Sequence, residues 1–298
     1  MKRRINFFLL LFSGFTTLLF CTAWSHKGPT LKTGYWRSVI QRPDGNEIVF
    51  TFQTRDSAGK KVLYIINGSE KLLVDDIHFQ DDSVYITLPF FESSFHAAFD
   101  EKGNMNGYWI KKLGDREQVL PFKAAYNQNY RFLPTKKPLY NITGNWAVQF
   151  FSKNNQRTDA IGAFDQKGNY LTGTFLTSTG DYRFLEGMVN GDSLYLSGFD
   201  GGHAYMFTAK VNDPGHLSSG RFYSGPLSIE NWSGYKDENA KLPDGYDQTH
   251  LKQGESGLKF TFKSTDGKNI SLDDPRYRNK VIVIQLMGSW CPNCMDET

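Results

Sequence analysis

One pattern occurs twice in this chain at a fixed distance, and it limits the fold more than any single motif does. TGYWRSVI from Thr33 returns as TGNWAVQF from Thr143, and DDSVYITL from Asp81 returns as GDSLYLSG from Gly191, both at an offset of 110 residues. FHAAF from Phe95 is answered by HAYMF from His203, and NGYWI from Asn106 by SGRFY from Ser219. Four blocks kept in order and near-constant spacing point to a duplicated unit, because self-similarity at a fixed period marks a repeated structural element. The first repeat is placed at 33–135 and the second at 140–235.

Each repeat alternates apolar and polar residues in the period of a strand. EIVFTF, KVLYII, SVYITL, SFHAAF and MNGYWI fill the first, and AIGAF, YLTGTF, RFLEGMV, SLYLSGF and AYMFTA fill the second. Between them lie Asp-Gly, Asn-Gly and Lys-Gly-Asn turns, the residues that accept the positive φ of tight hairpins. About eight short strands per copy, with no amphipathic helix, predict a small closed antiparallel barrel or a sandwich for each. Aromatic residues make up 15% of the chain, and rings of this kind suit a pleated, half-buried surface. Trp36 and Trp146 hold equivalent places and are read as core. The DGGH turn around His203 is read as a structural turn rather than a ligand site.

The formal charge of +3 belongs to Lys2, Arg3 and Arg4; without them the basic residues fall from 34 to the same 31 as the acidic ones. No basic run tracks phosphates, which excludes nucleic acid as the expected partner. MKRR followed by an apolar stretch from Ile5 to Phe20, then CTA before Trp24, has the layout of a signal peptide over 1–23. The expected location is therefore outside the cytoplasm, in a bacterial periplasm or cell envelope. A retained signal anchor is one alternative. Acylation at Cys21 is another, since LLFC resembles a lipobox; either would add a membrane anchor.

The chain has three cysteines: Cys21 in the export segment, then Cys291 and Cys294. No structural disulfide framework is expected in the body, and any redox chemistry is confined to that pair. A polar, turn-rich linker covers 236–254. Beyond it, LKFTFKSTDGKNISLDD reads as a hairpin with Phe260 and Phe262 on one side and Asp266-Gly267 at its turn. The near-continuous apolar run Val281 to Met287 predicts a strand buried on both faces. CPNC at a helix start would follow. There, unpaired N–H groups and the helix dipole favour a thiolate at the first cysteine, so Cys291 is the candidate nucleophile and Cys294 the resolving thiol. Pro292 suits an early helical position, where its missing N–H costs nothing.

FTFKSTDGKNISLDDPRYRNKVIVIQLMGSWCPNCMDE resembles the opening of the thioredoxin-like TlpA/ResA family of exported disulfide reductases. The shared features are the hairpin with its Asp-Gly turn, Leu-x-Asp before a Lys-Val strand, Trp-Cys-x-x-Cys, and an acid three residues after the second cysteine. Met-Gly-Ser-Trp stands where the family more often has Phe-Trp-Ala-Thr-Trp. The resemblance implies a Cys291–Cys294 redox disulfide, Trp290 packed beside it and Glu297 tuning its proton affinity; Glu297 is equally readable as a solvated first-turn acid. The family's domain runs on for about 100 residues more, so residues 255–298 are expected to be only its front part.

The implied function is thiol–disulfide exchange with protein disulfides or thiols of the envelope, fed by an upstream electron donor and needing no cofactor. Two alternatives stand beside it: a β-barrel binding or docking module, and a peroxiredoxin-like thiol peroxidase. No metal site is expected, because the six histidines form no cluster that would complete a zinc site with the cysteine pair.

Overall fold

The computed structural model describes residues 30–89, 92–242 and 250–288. The described chain is mainly β and is dominated by two barrel-like antiparallel sheets. The first contains β1 (Gly34–Gln41), β2 (Glu47–Ser57), β3 (Lys60–Asn67), β4 (Glu70–Val74) and β5 (Asp76–Gln80). It continues with β6 (Ser83–Thr87), β7 (Ser93–Phe99), β8 (Met105–Leu113) and β9 (Arg116–Tyr126). The second contains β10 (Gly144–Phe151), β11 (Arg157–Lys167), β12 (Tyr170–Thr177), β13 (Gly180–Asp181) and β14 (Leu185–Asn190). Its remaining strands are β15 (Ser193–Phe199), β16 (Ala204–Asp213), β17 (His216–Ser224) and β18 (Ser228–Lys236).

The first three strands of each sheet sit at the sequence offset to the residue. Gly34 pairs with Thr54 and Gly144 with Phe164; Trp36 pairs with Tyr126 and Trp146 with Lys236. Even the tryptophan anchors repeat. Trp36 Nε1 donates to the Lys32 carbonyl at 3.3 Å, and Trp146 Nε1 to the Ile142 carbonyl at 2.9 Å. Both rings are fully buried, as a core reading requires. Nine strands per sheet, rather than about eight, come from short additions at β4, β5 and β13. RFLEGMV is also shorter as a strand than its pattern suggests: Arg183 stands at φ 55°, and β14 begins at Leu185.

The second sheet closes. Its strands run as a meander from β10 to β18, β18 returns to β10, and β12 pairs with β14 past the two-residue arm β13. The first sheet does not close. Its order is β4-β3-β2-β1-β9-β8-β7-β6-β5, with β4 and β5 as free ends. Pro121 lies in β9 just outside the stretch that pairs with β1, so its missing N–H removes no bond on that side.

Alternate residues of every long strand fill the two interiors. Phe50, Phe95 and Phe122 stack in the first, and Phe150, Phe175, Phe207, Phe222 and Trp232 pack in the second. Both interiors are thus occupied by side chains, as small barrels usually are. The end of the β15–β16 hairpin leaves the second barrel and enters the first: Phe199, the last residue of β15 and 1% exposed, stacks on Phe50 at 4.2 Å between ring centres and meets Trp109 edge-on at 5.5 Å. Ala204 and Met206 join the same core.

Hydrogen bonds between side chains and backbone lock this insertion. Asn67 Nδ2 donates to the Phe199 carbonyl at 2.8 Å, and Phe199 N–H returns to Asn67 Oδ1 at 3.2 Å. The Gly201 carbonyl accepts from Ser93 Oγ and Trp109 Nε1, and the Gly202 carbonyl from Lys111 Nζ. DGGH is indeed a turn, and its Gly201 and Gly202 carbonyls help hold Phe199, the plug that joins the repeats.

Candidate functional site

The residues expected to carry chemistry, Trp290, Cys291, Pro292, Cys294 and Glu297, lie outside the described residues, as do Cys21 and the rest of the stretch expected to direct export. The approach to the cysteine pair is described. Thr261–Lys263 (β19) pairs with Asn269–Ser271 (β20), with Phe262 opposite Ile270. The turn closes through Gly267 N–H to the Ser264 carbonyl at 2.9 Å, with Gly267 at φ 81°. Phe260 and Phe262 lie 5.1 Å apart, centre to centre. A 3-10 turn at Pro275–Tyr277 follows, with the Asp274 carboxylate accepting from Arg276 N–H.

The apolar run departs from its expected form. Residues 280–288 form no strand, and Val281, Val283 and Leu286 are 97%, 91% and 93% exposed. A strand buried on both faces needs neighbours to pair with and helices to cover it. Among the described residues no strand pairs with the run and no helix covers it.

Two buried guanidinium groups sit between the barrels. Arg131, from the segment joining the repeats, donates to the Ser197 carbonyl at 2.7 Å and to the Ile66 carbonyl, with Glu186 at 3.6 Å. Burial lowers its proton affinity and Glu186 opposes that. Its Nε has no partner. Arg42 is held by Asp44 at 2.8 Å and reaches the Gly225 carbonyl of the second barrel, against the Tyr223 ring. That pairing holds the Asp44 carboxyl down at about 2. Both arginines make structural contacts across the junction.

An open groove of about 1610 Å³ lies beside this junction. Its floor is the outer face of the β11–β12 hairpin, where Asp165 faces Thr172 and Ala163 faces Thr174. Gly173 lets the two strands approach, since a Cβ there would lie 2.4 Å from the Ala163 carbonyl oxygen and 2.6 Å from the Phe164 ring. One wall is the β3–β4 turn at Gly68 and Ser69; another is the Asp181–Leu185 bend; Val283–Leu286 borders it as well. The bend is set by Arg183 N–H donating to Asp181 Oδ1 at 2.8 Å, an Asx-type local turn.

The groove is rich in hydroxyl groups and poor in unpaired charge. Burial pushes the Tyr182 phenol up to about 12 and raises Tyr205 and Tyr170, so all three stay neutral donors. Lys167 pairs with Asp165 and Arg183 with Glu70. Thr174 Oγ1 is buried there without a hydrogen-bond partner. No histidine or cysteine lines it among the described residues, and no cluster of three metal-ligating side chains occurs among them. Nothing in the sequence signals this groove, because it gathers residues from 68, 172 and 284.

No family model matches the chain, and no curated protein matches it in sequence.

Proposed function

We propose that this chain belongs to an exported thiol–disulfide exchange protein of the bacterial envelope, in which Cys291 and Cys294 carry the reaction. The observation that carries the reading is the Trp-Cys-x-x-Cys sequence placed after an Asp-Gly hairpin and an apolar run, in a chain whose other cysteine lies in the export segment. The hairpin with its Asp266-Gly267 turn, bearing Phe262 opposite Ile270, supports it.

In this reaction the Cys291 thiolate attacks one sulfur of a partner's disulfide. The S–S bond breaks, the partner's other sulfur leaves as a thiolate and takes a proton, and a mixed disulfide remains. Cys294 then attacks Cys291 Sγ as its thiolate, releasing the second partner thiol and closing the Cys291–Cys294 disulfide. Two electrons have passed to the partner, and an upstream thiol donor restores the pair. The two joined barrels serve as a rigid base for this module. With both barrel interiors filled by side chains, no ligand role inside them is proposed.

Trapping tests the proposal. In cells making Cys294→Ser, mixed disulfides through Cys291 should accumulate as thiol-sensitive adducts on non-reducing gels. They should vanish in Cys291→Ser. Equal adduct levels in the two variants would sink the reading.

A further inference from the structure

We propose that copies of this chain join head to tail, the outer β6–β7 face of one docking on the outer β11–β12 face of the next. The template for that contact lies inside the chain. In the first barrel the outer face of the β2–β3 hairpin is covered by the outer face of β15–β16. Val49 and Thr51 are only 4% exposed there, Ser197 Oγ donates to the Val49 carbonyl, and Met206 packs into the first core.

Both halves of this contact occur a second time, and there they are uncovered. The offset of 110 residues carries Val49, Thr51 and Ile66 to Asp159, Ile161 and Leu176. Register is kept, since Thr51 faces Ile66 and Ile161 faces Leu176. Yet the Asp159 side chain is 46% exposed, and Ile161 and Leu176 are half-buried. None of these three lines the groove described above, so the 283–286 run is not part of this face. The same offset carries Tyr195 and Ser197 back to Tyr85 and Thr87. Ser197 faces Met206 and Thr87 faces Ser94, and both Tyr85 and Thr87 are exposed. A receiving face and a docking face thus stand open on opposite repeats.

A cation repeats as well. Arg131 bridges the internal contact by donating to the Ser197 and Ile66 carbonyls. Its equivalent at the same offset is Lys241, exposed in the segment after the second barrel. In the contact between copies Lys241 meets the Thr87 carbonyl of the docking copy, as Arg131 meets that of Ser197. The plug is what does not repeat: the second barrel is closed and its core complete, so no phenylalanine is lent. The contact is accordingly weaker than the internal one. Because its two faces differ, it is heterologous, and it adds further copies unless the rotation closes a ring.

Sedimentation of the full chain over a concentration series, with its thiols kept reduced, tests the proposal. The weight-average mass of the unaltered protein should climb past that of a pair. Tyr85→Arg removes the docking face and Ile161→Arg the receiving face, both outside the cores. Each variant alone should stay monomeric. An equimolar mixture of the two should form pairs and nothing larger, because only one intact junction remains. Thr87→Arg and Asp159→Arg, at exposed positions, stand in if either first variant unfolds. Lys241→Glu should weaken association about tenfold, the loss of one charged hydrogen bond. An unaltered protein that stays monomeric throughout overturns the proposal. So does association that persists in either single variant, since a pair built from one face on itself would survive one of the two changes. A mixture of folded variants that remains monomeric overturns it too.

Discussion

The two barrels share a pattern, a register and a tryptophan anchor, yet one closes and the other stays split. The difference lies in one hairpin arm. In the second barrel β13 is two residues long, leaving most of the β12 edge free for β14. In the first, β4 is five residues long and covers the β3 edge from Leu63 to Asn67, so β5 finds no place there. Three residues of extra strand cost the first barrel its closure. The core left incomplete is finished by Phe199, Ala204 and Met206 from the other copy. Sequence similarity between repeats thus coexists with unequal independence: the second barrel completes itself, and the first depends on its neighbour.

Separating the repeats tests this inequality most severely. A fragment spanning 137–242 should fold cooperatively by itself, while 30–136 should retain strand content but lose fixed side-chain packing, read by near-ultraviolet circular dichroism. Equal cooperativity in both fragments would break the comparison.

Within the intact chain, Phe199→Ala should destabilise the first barrel by about 3–5 kcal/mol, the cost of removing a buried phenylalanine. Hydrogen exchange should quicken in β2, β7 and β8 and change little in β10–β12. Phe207→Ala, inside the second barrel, should show the opposite distribution.

A smaller loss is expected for Asn67→Ala. It strips partners from the buried Phe199 N–H and C=O, and unsatisfied groups of this kind cost about 1–3 kcal/mol. Chemical denaturation should show a lowered midpoint with the same slope.

The weakest effect concerns acid. Asp44 has its carboxyl lowered to about 2 by Arg42, so its contribution is complete above the unfolded value of 3.8 and fades as pH falls through about 2. Because Asp44 is partly solvated, the contribution is about 1 kcal/mol after screening. Asp44→Asn should flatten the pH dependence of the melting temperature between those two values; an unchanged slope would remove Asp44 from the junction.

The barrel class was legible because turn chemistry and strand period recur at a constant offset. Closure was not, since it turns on whether Glu70–Val74 or Asp76–Gln80 takes the β3 edge, and both segments are compatible with a strand. The plug was half visible: Asp200 to His203 reads as a turn, but no local pattern says that Phe199 packs on Phe50, 149 positions away. Arg131 was invisible, because a buried cation in a connecting segment obeys no periodicity. The cysteine pair is conspicuous in sequence for the converse reason: its spacing is chemistry that needs no neighbours to be recognised.

Copying a gene segment usually leaves two interchangeable parts. Here the loan of Phe199 has removed that freedom. Deleting the second copy would leave a split sheet with a hole in its core, and deleting the first would leave a closed barrel carrying an apolar loop into water. Neither product is a smaller version of the parent: one loses a core residue it cannot replace, and the other keeps its fold but exposes Phe199.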